Sequence, residues 1–269
     1  ERGSLIVNYT GHGSELGWAQ EQIVTAEQIN AWRNPDRLPL FVTATCEFGR
    51  YDDPEMVSGA ELLLLRPRTG AVGLLTTTRP VFSSTNFAVN AAFFNRVFEP
   101  DGGQMPRLGD VMRYTKNNSL SGSVNRNFAL LGDPSMRLAY ATQQAMVTRI
   151  NDRPFTGLND TLRATGRVTV EGEIRNAAGV LGNFDGILQA TVLDKPVKIS
   201  TVGTESARME FVQADAVLFR GSASVRSGRF RFSFVVPKDI NYTPGEGRIL
   251  LYAKPTRGTA DAAGVAVVT

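Results

Sequence analysis

Two rhythms of apolar and polar positions divide the chain. Up to about residue 141, short apolar runs alternate with stretches of helical spacing, the pattern of an α/β layered fold. Leu5–Thr10 reads as a strand, and a loop follows to Val24. Thr25-Ala26-Glu27-Gln28 has the form of a capping box and opens a short helix through Ile29 and Trp32, ended by Pro35. Leu38–Thr45 is a second strand. Asp53-Pro54, an N-cap with a first-turn proline, predicts a helix running through Glu61–Leu65 to Pro67. Gly70–Thr78 is a third, buried strand. Ser84 or Thr85 caps a helix on which Phe87, Ala91, Phe94 and Phe98 form an apolar stripe. Another helix covers about Leu108–Asn117, Phe128–Leu131 is an apolar strand, and Met136–Tyr140 closes the domain.

From about Thr142 the period falls to two. Arg167–Glu171, Ile187–Leu193 and Arg229–Phe234 alternate, with turn signals such as Asn176-Ala177-Ala178-Gly179 and Asp185-Gly186 between such runs. Short alternating strands without helical stretches predict an all-β immunoglobulin-like sandwich. The expected organisation is an α/β open sheet over residues 1–141 and a β-sandwich over 142–269.

Composition narrows the function classes. Of the 269 residues 42% are hydrophobic and 20% charged, with a net charge of +3, as in a globular protein with a sizeable core. Lysines and arginines are scattered, so neither a nucleic-acid stripe nor a polybasic membrane anchor is indicated. The single cysteine cannot form an internal disulfide, and together with a single histidine it excludes the usual structural zinc site. The chain begins at Glu1 without Met or a signal peptide and stops within the strand-like Ala263–Thr269. It is therefore expected to be a fragment, with the first domain incomplete at its N-terminus and the second truncated at its C-terminus, and its location is left open.

The one histidine and the one cysteine both stand where a strand runs out. His12 lies in Asn8-Tyr9-Thr10-Gly11-His12-Gly13-Ser14 and Cys46 in Thr43-Ala44-Thr45-Cys46-Glu47, 34 residues apart. That distance accommodates one strand–helix–strand unit, and consecutive parallel strands end on the same edge, where ligands bind in open sheets. The bland reading is a buried cysteine packing as a small hydrophobe and a histidine that merely ends a strand. The chemical reading is a thiol activated by an imidazole, with a second contribution from the helix expected at Asp53-Pro54. The amides of Gly13 and Cys46 are then candidate donors to an oxyanion, each of a type worth about 3 kcal/mol in the transition state. Glu15 and Glu47 are candidates for orienting the imidazole or touching substrate, and equally for plain solvated carboxylates. The orienting acid can also lie in the expected missing N-terminal portion. Arg79 is a candidate for lining a specificity pocket, against the commoner surface arginine. Asp52, Asp53 and Glu55 form an acidic cluster that suits either structural calcium or ordinary capping. Phosphate-binding, dinucleotide-binding and Gly-x-Ser-x-Gly motifs are missing.

These motifs resemble the gingipain-type cysteine peptidases, and within them the sortases of the Bacteroidetes type IX secretion system. The resemblance extends beyond the His12 and Cys46 segments. It includes Phe48-Gly49-Arg50-Tyr51-Asp52-Asp53-Pro54-Glu55, Leu74-Leu75-Thr76-Thr77-Thr78-Arg79-Pro80-Val81, Asn127-Phe128-Ala129-Leu130-Leu131-Gly132-Asp133-Pro134, and Phe234-Val235-Val236-Pro237-Lys238-Asp239-Ile240-Asn241-Tyr242. It implies a caspase-like fold, Cys46 as nucleophile, His12 as general acid/base, and Gly13 and Cys46 amides at the oxyanion, without a cofactor. For the sortase subgroup it implies removal of a C-terminal sorting domain from secreted cargo and transfer of the new C-terminus to an amine-bearing lipopolysaccharide-type acceptor. It further implies outer-membrane secretion components as partners, no nucleic acid, and an outer-membrane-associated place on the surface of a Gram-negative cell. Two alternatives stand beside it: a secreted gingipain-like protease that only hydrolyses, and a catalytically silent caspase-like scaffold or adhesin.

Overall fold

The computed structural model describes residues 3–119, 121–157, 162–204, 207–240 and 242–269. Asn241, inside one of the stretches that carry the resemblance, lies outside the described residues. The chain forms two compact units, Glu1–Tyr140 and Ala141–Thr269.

The first unit is built on a sheet of four strands: β1 (Ile6–Thr10), β5 (Leu40–Ala44), β6 (Gly73–Thr77) and β7 (Phe128–Leu131), adjacent in that order. The first three run parallel and β7 is antiparallel. Every residue of β5 and β6 is buried, as expected for strands covered on both faces. Phe41 and Leu74 point to one face, where Trp18, Ile29, Phe48, Ala60 and Leu63 complete a core. Leu40, Val42, Ala44 and Leu75 point to the other, with Val89, Phe93, Val97, Leu108, Val111 and Phe128. Three short strands, β2 (Gly13–Ser14), β3 (Gly17–Trp18) and β4 (Val24–Thr25), form a separate small sheet between β1 and the first helix.

Four helices supply the covering layers: α1 (Ala26–Ala31), α2 (Gly59–Leu65), α3 (Ser83–Val97) and α4 (Leu108–Ser119). The Thr25 capping box is formed as its sequence predicts, with Gln28 as the reciprocal partner. Two helix expectations are corrected. The second helix begins at Gly59, not at Asp53-Pro54, because Ser58 and Glu61 form a full capping box, whereas the Asp53 carboxylate accepts from the Glu55 amide in a local turn, 3.0 Å. The third helix begins at Ser83, and Thr85 serves as its third residue, its hydroxyl accepting from the Phe82 amide at 3.2 Å. An apolar helical stripe ordinarily faces a core, yet Phe87 is 75% exposed and Phe94 and Phe98 are exposed too. The buried stripe is instead Asn86, Val89, Ala92, Phe93 and Val97, rotated from the expected one by a single position.

The second unit is all β. Its strands are β8 (Gln143–Ile150), β9 (Arg153–Pro154), β10 (Arg167–Asn176), β11 (Gly179–Val180), β12 (Gly186–Leu193), β13 (Val197–Ser200), β14 (Glu210–Gln213), β15 (Val217–Arg226), β16 (Arg229–Val235), β17 (Gly247–Pro255) and β18 (Ala262–Val268). The predicted inward face is observed: Phe230, Phe232 and Phe234 are buried while Arg229, Arg231, Ser233 and Val235 are exposed. The expected pair of separate sheets is not what forms. The strands β8, β10, β16, β15, β12, β17 and β18 close into one seven-stranded ring. Two seams of only two residue pairs each complete it, Val225–Phe230 with Arg226–Arg229, and Ala262–Gln143 with Ala263–Gln144. Alternation tells which side of a strand is buried, but not which strand shares its edge, so a sandwich and a closed ring read alike. Gly264 marks the second seam: a Cβ there would run into the Ala145 carbonyl.

Candidate active site

The parallel pairing of β1 with β5 keeps one offset throughout, from Ile6 opposite Leu40 to Thr10 opposite Ala44. His12 and Cys46 share that offset, each two residues past the last pair. The ladder is prolonged by the Gly11 amide donating to the Ala44 carbonyl at 3.4 Å. Both side chains therefore leave the sheet at the same edge.

The histidine segment is held by its backbone. Its carbonyl accepts from the Tyr9 hydroxyl at 2.7 Å and from the Ala19 amide at 2.8 Å. Tyr9 lies flat on Trp18, ring centroids 4.7 Å apart and planes within 2°, and Trp18 packs on Phe41 and Phe48. The aromatic core beneath the sheet thus sets where the imidazole begins. Gly13 is fixed by close approach: a Cβ would overlap the Thr45 hydroxyl and stand 3.0 Å from the Gly17 carbonyl. Thr45 is fully buried and immediately precedes Cys46. Antiparallel pairs alternate between hydrogen-bonded and non-bonded kinds. With Ala19 bonded to His12, the adjacent Gly13–Trp18 pair is of the second kind, so the Gly13 amide points out of the hairpin.

The cysteine segment is held from below and beside. The Thr77 hydroxyl donates to the Thr45 carbonyl, the Thr43 and Thr76 hydroxyls meet at 2.7 Å, and the Asn86 carboxamide donates to the Ala44 carbonyl at 2.9 Å. Cys46 is half-buried, its Sγ 3.7 Å from the Val81 carbonyl. Glu47 follows with φ +56°, a left-handed conformation that is uncommon for a non-glycine residue and often marks a functional turn. His12 is exposed, and among the described residues no side chain is hydrogen-bonded or ion-paired to its ring.

The other candidate residues assemble into an ionic chain. Glu15 pairs with Arg50 at 3.2 Å, so its carboxylate is directed at a guanidinium and not at the imidazole. Arg50 also approaches Asp52 at 3.8 Å and Asp53 at 3.6 Å. Arg79 forks onto Asp52 through both terminal nitrogens, one of them at 3.1 Å. This hydrogen bond holds the Asp52 carboxyl below the usual carboxylate range, and reciprocally raises Arg79, to which Glu47 adds a smaller attraction. Asp52 and Asp53 of the acidic cluster are thereby occupied by arginines. Among the described residues no group of three or more His, Cys, Asp or Glu is placed to hold a metal. The helix expected from Asp53-Pro54 begins at Gly59 instead, and its first amides are bonded elsewhere. The α2 amides of Gly59 and Ala60 donate to the Glu15 and Phe48 carbonyls.

Thr45, Asn86 and Val81 belong to the site and were not among its sequence candidates. Asn86 carries a visible signal: a carboxamide on the buried stripe of a helix must find a polar partner. Thr45 carries none beyond adjacency to Cys46, and Val81 none beyond standing two positions after Arg79.

The profile of peptidase family C25 matches residues 1–139, just over half of the chain. No curated protein sequence matches it. Among solved structures the chain is similar to dimeric latent PorU from Porphyromonas gingivalis, at 30% identity over 65% of this chain and 17% of that one, TM-score 0.44. It is similar to the Arg-specific cysteine proteinase gingipain R, RgpB, at 17% identity over 99% of this chain and 53% of that one, TM-score 0.46. The complex of Porphyromonas gingivalis RgpB pro- and mature domains matches at 15% identity over 99% and 54%, TM-score 0.48. The chain thus spans about a sixth of the PorU chain and about half of the RgpB chains. These superpositions are partial, and the assignment rests on the family match: the chain belongs to peptidase family C25.

Proposed function

We propose that the first unit is a caspase-like cysteine peptidase domain in which Cys46 attacks a peptide carbonyl and His12 manages the proton. The observation that carries this reading is the shared register that takes the thiol and the imidazole off one sheet edge. His12 accepts the thiol proton, the thiolate adds to the carbonyl carbon, and the Gly13 and Cys46 amides donate to the resulting oxyanion. Collapse breaks the peptide C–N bond, His12 protonates the departing amine, and a thioester remains on Cys46.

The second half of the reading is a transfer. An amine-bearing acceptor of lipopolysaccharide type attacks the thioester, loses its proton to His12 and takes the acyl group, releasing the thiol. The cargo is a secreted protein that loses a C-terminal sorting domain, as in a PorU-like sortase of the type IX secretion system. Outer-membrane secretion components would hold the protein at the cell surface of a Gram-negative bacterium. Among the described residues no helix is long and apolar enough to cross a membrane.

The ionic chain argues about specificity. Asp52, Asp53 and Glu15 all face guanidinium groups, so none presents a bare carboxylate to a basic side chain of the substrate. Glu47 or Arg79 remains as a substrate contact at the rim.

The test is intact-mass analysis of a cargo carrying its sorting domain, incubated with wild type or Cys46→Ala, with and without an added amine. Loss of the domain with gain of the amine's mass, in wild type alone, is the expected result. Cleavage with water only reduces the function to hydrolysis, and an unchanged cargo in both samples leaves a silent scaffold.

A further inference from the structure

The second unit carries a cleft that peptidase chemistry does not use. β15 and β16 leave their hairpin as neighbours at Val225–Phe230 and Arg226–Arg229 and pair with each other no further. β15 continues along β12, and β16 continues along β10. Over Ser222–Ser224 and Arg231–Ser233 each strand thus turns one backbone edge towards a gap instead of a partner.

That gap is a cleft of about 970 Å³, at the upper end of ligand-sized pockets. Phe219, Phe230 and Phe232 give it apolar surface, the Phe219 and Phe232 rings stacked at 5.7 Å. Its charged lining is Arg149, Arg226, Arg229 and Arg231 against Glu171 and Glu173. Glu171 lies opposite Arg231 and Glu173 opposite Arg229 in the β10–β16 register, with ion pairs at 3.4 and 3.6 Å. Arg149 shares Glu171 at 3.7 Å, and Arg226 has no carboxylate partner among the described residues. Asp152 stands 4.0 Å from Arg231 as well, so four guanidinium groups face three carboxylates, and the excess of positive charge is the one that Arg226 supplies.

Unpaired strand edges invite another strand. A helix keeps its own backbone groups internally bonded and cannot serve such edges, whereas an extended peptide can. Its side chains alternate between two sides, which matches aromatic surface on one side and arginines on the other. We propose that the cleft between β15 and β16 binds an extended peptide segment that alternates apolar and acidic residues, adding a strand to the ring at its short seam.

Fluorescence anisotropy of labelled eight-residue peptides with the whole chain tests this. A Val–Glu alternating peptide is expected to bind saturably, more weakly as salt rises, and a Val–Lys peptide not to bind. N-methylation of alternate amides, placed in turn on each of the two registers, is expected to abolish binding in at least one. Arg226→Glu is expected to weaken the Val–Glu peptide about fivefold with an unchanged circular dichroism spectrum, since Arg226 is exposed and holds no internal ion pair. Equal binding of the Val–Lys peptide, full binding of both N-methylated peptides, or an unaltered affinity in Arg226→Glu would overturn the proposal. So would displacement of the peptide by an anionic polysaccharide that binds more tightly, which would assign the cleft to a glycan.

Discussion

At the scale of single residues, the site depends on small groups that let two loops touch. Gly13 has no room for a methyl against Thr45 and the Gly17 carbonyl. Gly13→Ala should push the histidine segment away from Cys46 and lower peptidase activity by about a hundredfold, the scale of a misplaced catalytic group. Circular dichroism should stay nearly unchanged, because the contact involves only the two-residue strand β2 and the end of β5. Asn86 acts differently. Its carboxamide donates to the Ala44 carbonyl from a nearly fully buried position, so Asn86→Ala should cost about 1–3 kcal/mol in chemical denaturation. That the His12 and Cys46 segments leave the sheet at one edge was legible in the sequence, since the offset between two apolar runs passes unchanged into a parallel register. Glu15 was equally close in sequence to His12, but Arg50, 35 positions away, claims it. Proximity along the chain carries no information about a partner that the fold brings from elsewhere.

At the scale of elements, α3 divides what pattern can reveal from what it cannot. Phe87, Ala91, Phe94 and Phe98 make one apolar stripe and Val89, Phe93 and Val97 another, one position round. Phenylalanine count favours the first and the fold uses the second, the face from which Asn86 reaches the Ala44 carbonyl. Phe93→Ala should therefore destabilise the protein by about 3–5 kcal/mol, whereas Phe87→Ala should change stability by less than about 0.5 kcal/mol. Urea melts of the two variants check both. The start of α2 has a similar origin. Asp53-Pro54 satisfies the residue preferences of a helix start, but Ser58 and Glu61 complete a reciprocal cap and win. Strands were read more securely than helix faces, since β5 and β6 are buried on both sides and every apolar residue in them finds a core. The closing seams of the second unit, two residue pairs each, leave no periodic trace.

At the scale of the whole molecule, a mixed sheet sandwiched by helices presents the thiol edge, and a ring of strands follows it in the chain. Each unit contains a tyrosine whose hydroxyl is pushed up to about 12: Tyr140, by burial, and Tyr252, by burial and its bond to Asp261. The folded state favours the protonated phenol. The stability from these groups is accordingly complete below the ordinary tyrosine value of about 10, and is lost as pH rises through about 12. Denaturant midpoints measured from pH 8 to 12 should be flat at first and then fall, and tyrosinate absorbance should lag behind that of the unfolded chain. Acid acts on the opposite sign of shift: the Arg79–Asp52 fork should persist below the usual carboxylate range and open only as pH falls through the lowered Asp52 value.

The central claim is that His12 activates Cys46 as a nucleophile. The most direct measurement is the second-order rate of alkylation of Cys46, the chain's single cysteine, by iodoacetamide between pH 5.5 and 8, in wild type and His12→Ala. Mass spectrometry would count one adduct, and Cys46→Ala would provide the blank. The account predicts that wild type reacts at least about tenfold faster than His12→Ala near pH 6.5, with the two converging as pH approaches the ordinary thiol range. Equal rates across that whole range would contradict it, and would leave Cys46 as a half-buried thiol at a strand end.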